Sequence, residues 1–132
     1  PVTKYVAGFI GSPEINFFDG LLEGSSFHTN ELTFDAARYP FAKKASGPAW
    51  FGIRPEQVVT GDAAANAPVQ MDVIVEIVEP MGADTLVWTK VAGQDFRLRM
   101  EGQARVHHGD RLRIGFDPAR ASMFDKSTEE RL

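Results

Sequence analysis

Short apolar runs separated by turn-forming residues constrain this chain more than any other feature of its sequence. Its 132 residues include 12 glycines and 8 prolines. Turn-forming residues recur about every ten positions, a spacing that is typical of small barrels. The pattern therefore predicts an all-β fold built from one or more small barrels. An OB-like barrel and an SH3-like barrel fit this spacing equally well.

The first eleven residues are the exception, because their pattern is helical. Thr3 is suited to cap a helix N-terminus, and four apolar side chains fall on one helical face. Gly11 favours the end of the helix, and Pro13 prevents it from resuming. A short N-terminal helix is expected here, with an apolar face made of Tyr5, Val6, Phe9 and Ile10.

The rest of the first half favours short strands and loops. Strands are predicted from Asn16 to Leu22, as a pair around Thr29-Asn30, and from Ala49 to Ile53. The small and polar stretch from Gly61 to Pro68 is expected to be a loop. At the other end of the chain, the charged tail from Lys126 to Leu132 is expected to be frayed.

The second half has the clearer strand pattern. A single strand is predicted from Met71 to Glu79, and a short helical turn is expected to begin at Asp117-Pro118 and to end near Phe124. Ile74 and Val78 make the second face of that strand apolar as well, which suits a strand covered on both sides. The other predicted strands are Thr85–Val91 and Asp95–Met100, which form a hairpin, and Arg111–Phe116.

Composition excludes several classes of function. The net charge is −4 and the sequence pI is about 5.3, which argues against general affinity for nucleic acid or anionic lipid. The chain has no cysteine, so disulfides and thiolate metal sites are excluded. No apolar stretch approaches the roughly 20 residues that a membrane-spanning helix needs.

Five separated stretches suggest a family when they are taken together: Phe9-Ile-Gly-Ser-Pro13, Asn16-Phe-Phe18, Gly52-Ile-Arg-Pro-Glu56, Val78-Glu-Pro-Met-Gly82 and Phe124-Asp125. In order and spacing they resemble the region after the ATPase domain in the ATP-binding subunits of bacterial sugar and glycerol-phosphate ABC importers, such as the maltose-importer ATPase. That region is called the transport-associated OB (TOBE) domain. The resemblance implies a regulatory OB-like domain over residues 1–125, followed by a charged tail over residues 126–132.

The resemblance also implies a part in a larger transporter. In this family the ATP-binding subunits work in pairs, and their regulatory domains hold the pair together while the ATPase domains open and close. The chain is therefore expected to form a homodimer, to contact a regulatory protein and to reach the importer's membrane subunits through an ATPase domain. It is expected in the cytoplasm, at the inner face of the cell membrane. Because the chain starts with Pro1, it is expected to be a fragment of a longer subunit.

The chain itself carries none of the motifs of an ATPase. The phosphate loop Gly-x-x-x-x-Gly-Lys-Ser/Thr and the signature Leu-Ser-Gly-Gly-Gln do not occur in its sequence. A phosphate loop binds ATP only when backbone amides, a lysine and a Mg²⁺-bound hydroxyl act together. The chain is therefore expected to be neither an enzyme nor a cofactor-binding protein by itself. ATP and Mg²⁺ are expected in the ATPase domain.

The corner between the predicted helix and the first strand is the candidate dimer interface. The resemblance implies this role, because the family places the segment near the contact between paired regulatory domains. A symmetric dimer would bring each segment against the same patch, or a neighbouring one, on its mate. The alternative is a helix end that packs on its own barrel. The candidate residues are Phe9, Ile10, Gly11, Ser12, Pro13, Glu14 and Asn16.

A second group of residues is expected to shape turns. Arg54 is expected to pair with a nearby acid and to fix the corner after a strand. Glu56 would lie in the first turn of a helix, where its charge favours the helix dipole. The whole group comprises Gly52, Arg54, Pro55, Glu56, Gly82, Gly109 and Asp110.

Nucleic-acid binding and metal binding are the sharper alternatives, and both are disfavoured. Four arginines would share one outer face if their two strands were paired, with Trp88 and Lys90 nearby, as in a surface that binds single strands. Acidic residues balance that face, so no nucleic acid is expected. Adjacent strand residues point to opposite faces, so His107-His108 is not expected to hold a metal. The arginines are Arg97, Arg99, Arg111 and Arg113, and the acids are Asp72, Glu76, Glu79 and Asp95.

A barrel that senses a small ligand, either an oxyanion or a sugar, remains the alternative function. Such a site favours a turn rich in hydroxyl groups and backbone donors. Ser25-Ser26 and Lys43-Lys44 are the candidate residues for it.

Overall fold

The structure is a computed structural model that describes residues 14–30, 32–43 and 46–132. The predicted N-terminal helix lies outside these ranges. The chain divides into two compact units, which are described separately: unit 1 is Pro1–Ile53 with Pro118–Leu132, and unit 2 is Arg54–Asp117. Strands make up most of the regular structure of the described residues, so the predicted all-β class is confirmed.

In chain order the elements of the described residues are β1 (Asn16–Glu23), β2 (Ser26–Thr29), β3 (Leu32–Asp35), β4 (Gly47–Ile53), a 3-10 helix (Pro55–Gln57), β5 (Val59–Thr60), α1 (Gly61–Ala64), β6 (Val69–Ile74), β7 (Ile77–Pro80), β8 (Asp84–Val91), β9 (Gln94–Glu101), β10 (Arg111–Phe116), a second 3-10 helix (Pro118–Arg120) and β11 (Ser122–Asp125).

Unit 1 is a five-stranded antiparallel sheet with an aromatic core. Its strand order is β11-β4-β1-β2-β3. Alternate residues of a strand point to one face, and here those positions bury Phe18, Phe27 and Phe51. The Phe51 ring centroid lies 5.6 Å from that of Phe27 and 4.9 Å from that of Phe34. Offset and edge-on contacts of this kind add to the stabilisation from burial alone.

Unit 2 contains two three-stranded sheets. Their strand orders are β5-β10-β6 and β7-β8-β9. Gly115 in β10 lets the chain after α1 approach closely, since a Cβ at this position would lie 2.6 Å from the Cβ of Ala67. The large buried side chains of the unit include Phe96, Leu98, Ile114 and Phe116.

The predicted single strand from Met71 to Glu79 is wrong. The chain changes sheet within it, because β6 ends at Ile74 and β7 begins at Ile77. At the break, the Val75 N–H donates to the Asp110 carbonyl and the Val75 carbonyl accepts from the Gly109 N–H, both at 2.8 Å. Ile74 is 50% exposed, so this stretch is not covered on both faces.

Two further expectations are corrected within the described residues. The stretch predicted as a loop from Gly61 contains α1, where Asp62 favours the N-terminal end of the helix dipole and alanine has high helix propensity. The short helical turn predicted from Asp117-Pro118 forms as the second 3-10 helix, but it ends at Arg120, and Phe124 lies in the strand β11, which pairs with β4.

The charged tail is ordered against unit 1 and is not frayed. The Leu132 N–H donates to the Met123 carbonyl at 2.9 Å, and the Leu132 side chain is buried. Lys126 forms an ion pair with Asp19 at 2.7 Å and lies 5.9 Å from the ring centroid of Trp50. The sequence pattern shows only that this segment is polar. Its contacts with distant strands decide its conformation.

The predicted hairpin of β8 and β9 is confirmed, and its turn is strained at one position. Val91 pairs with Gln94, so Ala92 and Gly93 form a two-residue loop with φ values of +53° and +78°. Such loops require positive φ at both central residues. Glycine adopts this conformation freely, whereas alanine does so at a cost of about 1–2 kcal/mol.

Ala92→Asn should therefore stabilise the protein. Asparagine tolerates the left-handed region better than alanine, so we expect the free energy of unfolding to rise by about 1 kcal/mol. Urea unfolding followed by circular dichroism measures this change. The matched control is Ala65→Asn, at an exposed residue with φ of −63°, which should bring no gain. An equal gain from both substitutions would contradict the explanation by backbone strain.

Candidate interaction surface

The candidate dimer interface lies largely outside the described residues. Phe9 to Pro13, including Ile10, Gly11 and Ser12, fall in the part of the chain that the structure does not describe. Glu14 is exposed, whereas Asn16 is 1% exposed and pairs with Ile53. The described part of the segment is therefore the entrance to β1, and its role as an interface stays a prediction.

Gly52 allows an aromatic side chain to lie flat on the sheet. Phe17 of β1 and Gly52 of β4 are cross-strand partners. A Cβ at position 52 would lie 2.7 Å from the nearest carbon of the Phe17 ring. Cβ atoms in real proteins do not come this close to a non-bonded carbon. A glycine is thus required by the position of Phe17.

The stretch Arg54-Pro55-Glu56 forms a turn closed by two hydrogen bonds between Arg54 and Gln57. The Arg54 N–H donates to the Gln57 side-chain oxygen at 3.0 Å, and the Gln57 N–H donates to the Arg54 carbonyl at 3.0 Å. Pro55 is buried at the first position of the 3-10 helix, where its fixed φ suits the backbone. Glu56 is exposed in the first turn. In this geometry the three residues redirect the chain after β4.

The other motif residues also lie in turns. Gly82 has a φ of +85°, inside a turn that the hydrogen bond from the Met81 N–H to the Asp84 carbonyl closes at 2.8 Å. Gly109 has a φ of +89°. Next to it, the Asp110 carboxylate accepts the N–H of His107 at 2.8 Å.

The four arginines do not lie on paired strands, so the condition for a shared arginine face is not met. β9 pairs with β8, whereas β10 pairs with β5 and β6 in the other sheet. Arg99 lies 3.6 Å from Asp84, and Arg113 lies 3.3 Å from Asp72. The arginines are therefore divided between two sheets, and in each sheet an acidic side chain lies near one of them.

His107 and His108 each lie near a different polar group. His107 lies 3.7 Å from the Asp110 carboxylate, and the His108 Nδ1 lies 2.8 Å from the Glu76 carbonyl. Within residues 14–30, 32–43 and 46–132, no three metal-ligating side chains come together. In the same part of the chain, no helix has the length and apolar character needed to cross a membrane.

The outward face of the β7-β8-β9 sheet holds Trp88, Arg97 and Arg99, which the sequence suggested only as part of a nucleic-acid surface. Its apolar residues Ile77 and Leu86 were not predicted to join them. We call it the Trp88 face and define it by its two central rows, Ile77–Trp88–Arg97 and Glu79–Leu86–Arg99. Ile77 is 55% exposed. The Arg97 guanidinium carbon lies 5.1 Å from the Trp88 ring centroid, a stacking geometry that favours a fixed position of both side chains.

Charged groups surround the apolar centre of the Trp88 face. Glu79 accepts the Trp88 Nε1–H at 3.3 Å. Lys90 contacts Asp95 at 2.5 Å, and this hydrogen bond and charge lower the pKa of the Asp95 carboxyl. Burial lowers the pKa of Arg97. Tryptophan, arginine and aliphatic side chains inside a polar rim are typical of protein contacts.

One pattern in the sequence does point to the Trp88 face. In an exposed hairpin, residues at every second position face water and are normally polar. Leu86 and Trp88 occupy two such positions of β8, and Ile77 occupies one of β7. The apolar character of these outward positions indicates a contact surface once the hairpin register is known.

The described residues form an all-β domain with an exposed face of the kind found in protein contacts. Comparison with family models identifies the family to which this domain belongs. A model described as TOBE domain matches residues 51–124, and a model described as MalK OB fold domain matches residues 11–58. The chain belongs to the TOBE domain family. It is a regulatory domain of the kind found in sugar and glycerol-phosphate ABC importer ATP-binding subunits, and TOBE domains of this kind are not catalytic. The predicted family is confirmed.

Curated relatives support this assignment. The chain is 33% identical to the sn-glycerol-3-phosphate import ATP-binding protein UgpC of Chromohalobacter salexigens, over 95% of this chain and 34% of that protein. It is 34% identical to the xylose/arabinose import ATP-binding protein XacK of Haloferax volcanii, over 100% of this chain and 36% of that protein. The chain thus spans about a third of the length of these relatives.

A solved structure supports the fold alone. A molybdate-bound crystal structure of the cytoplasmic molybdate-binding protein ModG matches with a TM-score of 0.54 and 13% sequence identity. The match covers 85% of each chain. It confirms the predicted OB-like class.

Gly52→Ala tests whether Phe17 dictates the glycine. The added methyl group has to displace the Phe17 ring, so we expect the free energy of unfolding to fall by about 1–3 kcal/mol. In a Phe17→Ala background the same substitution should cost much less, because the obstacle has been removed. A double-mutant cycle measured by urea unfolding gives both values. Equal costs in the two backgrounds would show that Phe17 does not set the requirement.

Proposed function

We propose that this chain regulates the ATP-binding subunit of a bacterial carbohydrate ABC importer by holding two subunits together and by receiving a regulatory protein. The observation that carries the proposal is its similarity, over 95% or more of its length, to import ATP-binding proteins. One of these is the sulfoquinovosyl glycerol transport ATP-binding protein SmoE of Agrobacterium fabrum. Two relatives are named for sugar or sugar-derivative substrates and one for a glycerol phosphate, which supports the substrate class.

The proposed mechanism is mechanical. One interface between two copies stays closed and tethers the pair, while the ATPase domains open and close. ATP and Mg²⁺ are bound and used in those ATPase domains, which also contact the membrane subunits. The complex acts in the cytoplasm, at the inner face of the cell membrane.

A different part of the chain is proposed for each of the two contacts. The segment Phe9–Asn16 is the proposed dimer interface, since Phe9 and Ile10 supply apolar side chains directly before β1. The Trp88 face is proposed for the regulatory protein, because its apolar centre and charged rim form one preorganised patch. The charged side chains at the rim of the Trp88 face already pair with one another. The face would therefore suit a partner whose apolar side chains cover Ile77, Leu86 and Trp88.

Light scattering across a concentration series tests the pairing and locates it. We expect a mass that rises with concentration from 14.5 kDa toward twice that value. Phe9→Asp should abolish the rise, because burying a carboxylate at an apolar contact is costly.

Ile77→Asp is the matched control, since it makes the same kind of change on the Trp88 face and should leave the dimer intact. Circular dichroism establishes that both variants are folded. A dimer lost in Ile77→Asp and retained in Phe9→Asp would move the interface to the Trp88 face. A wild-type chain that stays monomeric at every concentration would contradict self-association by this domain.

A further inference from the structure

A cavity of about 750 Å³ opens in unit 1 between the β1–β2 turn and the loop after β3. Its size falls within the range of pockets that hold small molecules. Two hydroxyl side chains, one cation and an aromatic ring line it: Ser25, Ser46, Lys43 and Phe41. Ser25 and Lys43 belong to the two stretches that the sequence suggested for a small-ligand site, and the fold brings them together.

The walls of the cavity are held by hydrogen bonds and ring contacts. The Ala36 N–H donates to the Ser25 carbonyl at 2.7 Å and ties the loop to the turn. The Phe41 ring makes an edge contact with Tyr39, with centroids 4.8 Å apart. Tyr39 is buried, and its hydroxyl accepts the Met123 N–H at 3.3 Å. The Phe41 side of the cavity is therefore packed against a buried, hydrogen-bonded tyrosine.

The cation that lines the cavity, Lys43, forms an ion pair with Glu130 that a bound anion could replace. Lys43 Nζ lies 2.7 Å from Glu130 Oε2, and both side chains are 52% exposed. An ion pair at this exposure contributes little to stability, because water screens it. A phosphate can accept more hydrogen bonds from an ammonium group and nearby hydroxyls than one carboxylate oxygen does.

We propose that this cavity binds a small organic phosphate. The phosphate takes the place of the Glu130 carboxylate beside Lys43, and the hydroxyls of Ser25 and Ser46 lie within the same pocket. The carbon skeleton rests against Phe41 and its small apolar neighbours. The inference goes beyond the proposed pairing function and does not depend on it.

Isothermal titration calorimetry with glucose 6-phosphate tests the proposal, and inorganic phosphate and glucose serve as the two half-ligands. We expect glucose 6-phosphate to bind more tightly than either half. Lys43→Met should weaken binding about tenfold, the loss expected when one charged hydrogen bond is removed. Glu130→Gln should tighten binding, because the competing carboxylate is gone. Amide chemical shifts should change around Ser25 and Phe41.

The matched control is Lys90→Met. Lys90 is 51% exposed and paired with an acid, as Lys43 is, but it lies in unit 2. It should leave the affinity unchanged. Equal weakening by both lysine variants would show non-specific attraction and overturn the proposal. Inorganic phosphate that binds as tightly as glucose 6-phosphate would also overturn the proposal. The same holds if no probe gives heat at about 10 mM, since the titration detects dissociation constants down to roughly millimolar affinity. The mass by light scattering reports on the pairing function separately.

Discussion

Unit 1 depends on the antiparallel pairing of β1 with β4, two of the three strands that have a neighbour on both sides in its sheet. The pairing runs from Asn16 opposite Ile53 to Leu22 opposite Gly47. A slip of one residue would turn every buried side chain of β1 toward water. The pairing also requires Gly52, because the Phe17 ring occupies the space of its missing side chain. The burial of Phe18 and Leu22 of β1 depends on that register.

Local patterns predicted the elements whose partners are close in sequence. The β8–β9 hairpin was predictable because its alternation and its turn at Gly93 are adjacent. The break after Ile74 was not, since it depends on hydrogen bonds between Val75 and the distant Gly109-Asp110 turn. Alternation continues across the break, so periodicity alone shows no change of sheet. The order of the C-terminal tail was missed because it depends on contacts with β11 and with the distant residues Asp19 and Trp50, which a polar pattern does not show.

The candidate site was predictable to a smaller extent than the fold. Family resemblance gave the class of the domain, and the family match confirms it. The turn residues around Gly109 were recognisable, because a positive φ favours glycine. A shared arginine face would have required β9 to pair with β10, and sequence order does not reveal that these strands belong to different sheets. The Trp88 face requires the register of three strands at once, and a single strand pattern does not contain that information.

The distribution of tryptophan in the fold has a practical consequence. The chain has two tryptophans: Trp50 lies beneath Lys126 in unit 1, and Trp88 lies beneath Arg97 in unit 2. Each unit therefore contains its own intrinsic fluorophore, and each indole lies next to a cation whose distance from it depends on the local fold. Replacing one tryptophan with phenylalanine leaves a spectroscopic reporter for a single unit. The natural sequence thus allows the cooperativity between its two halves to be followed without an added label.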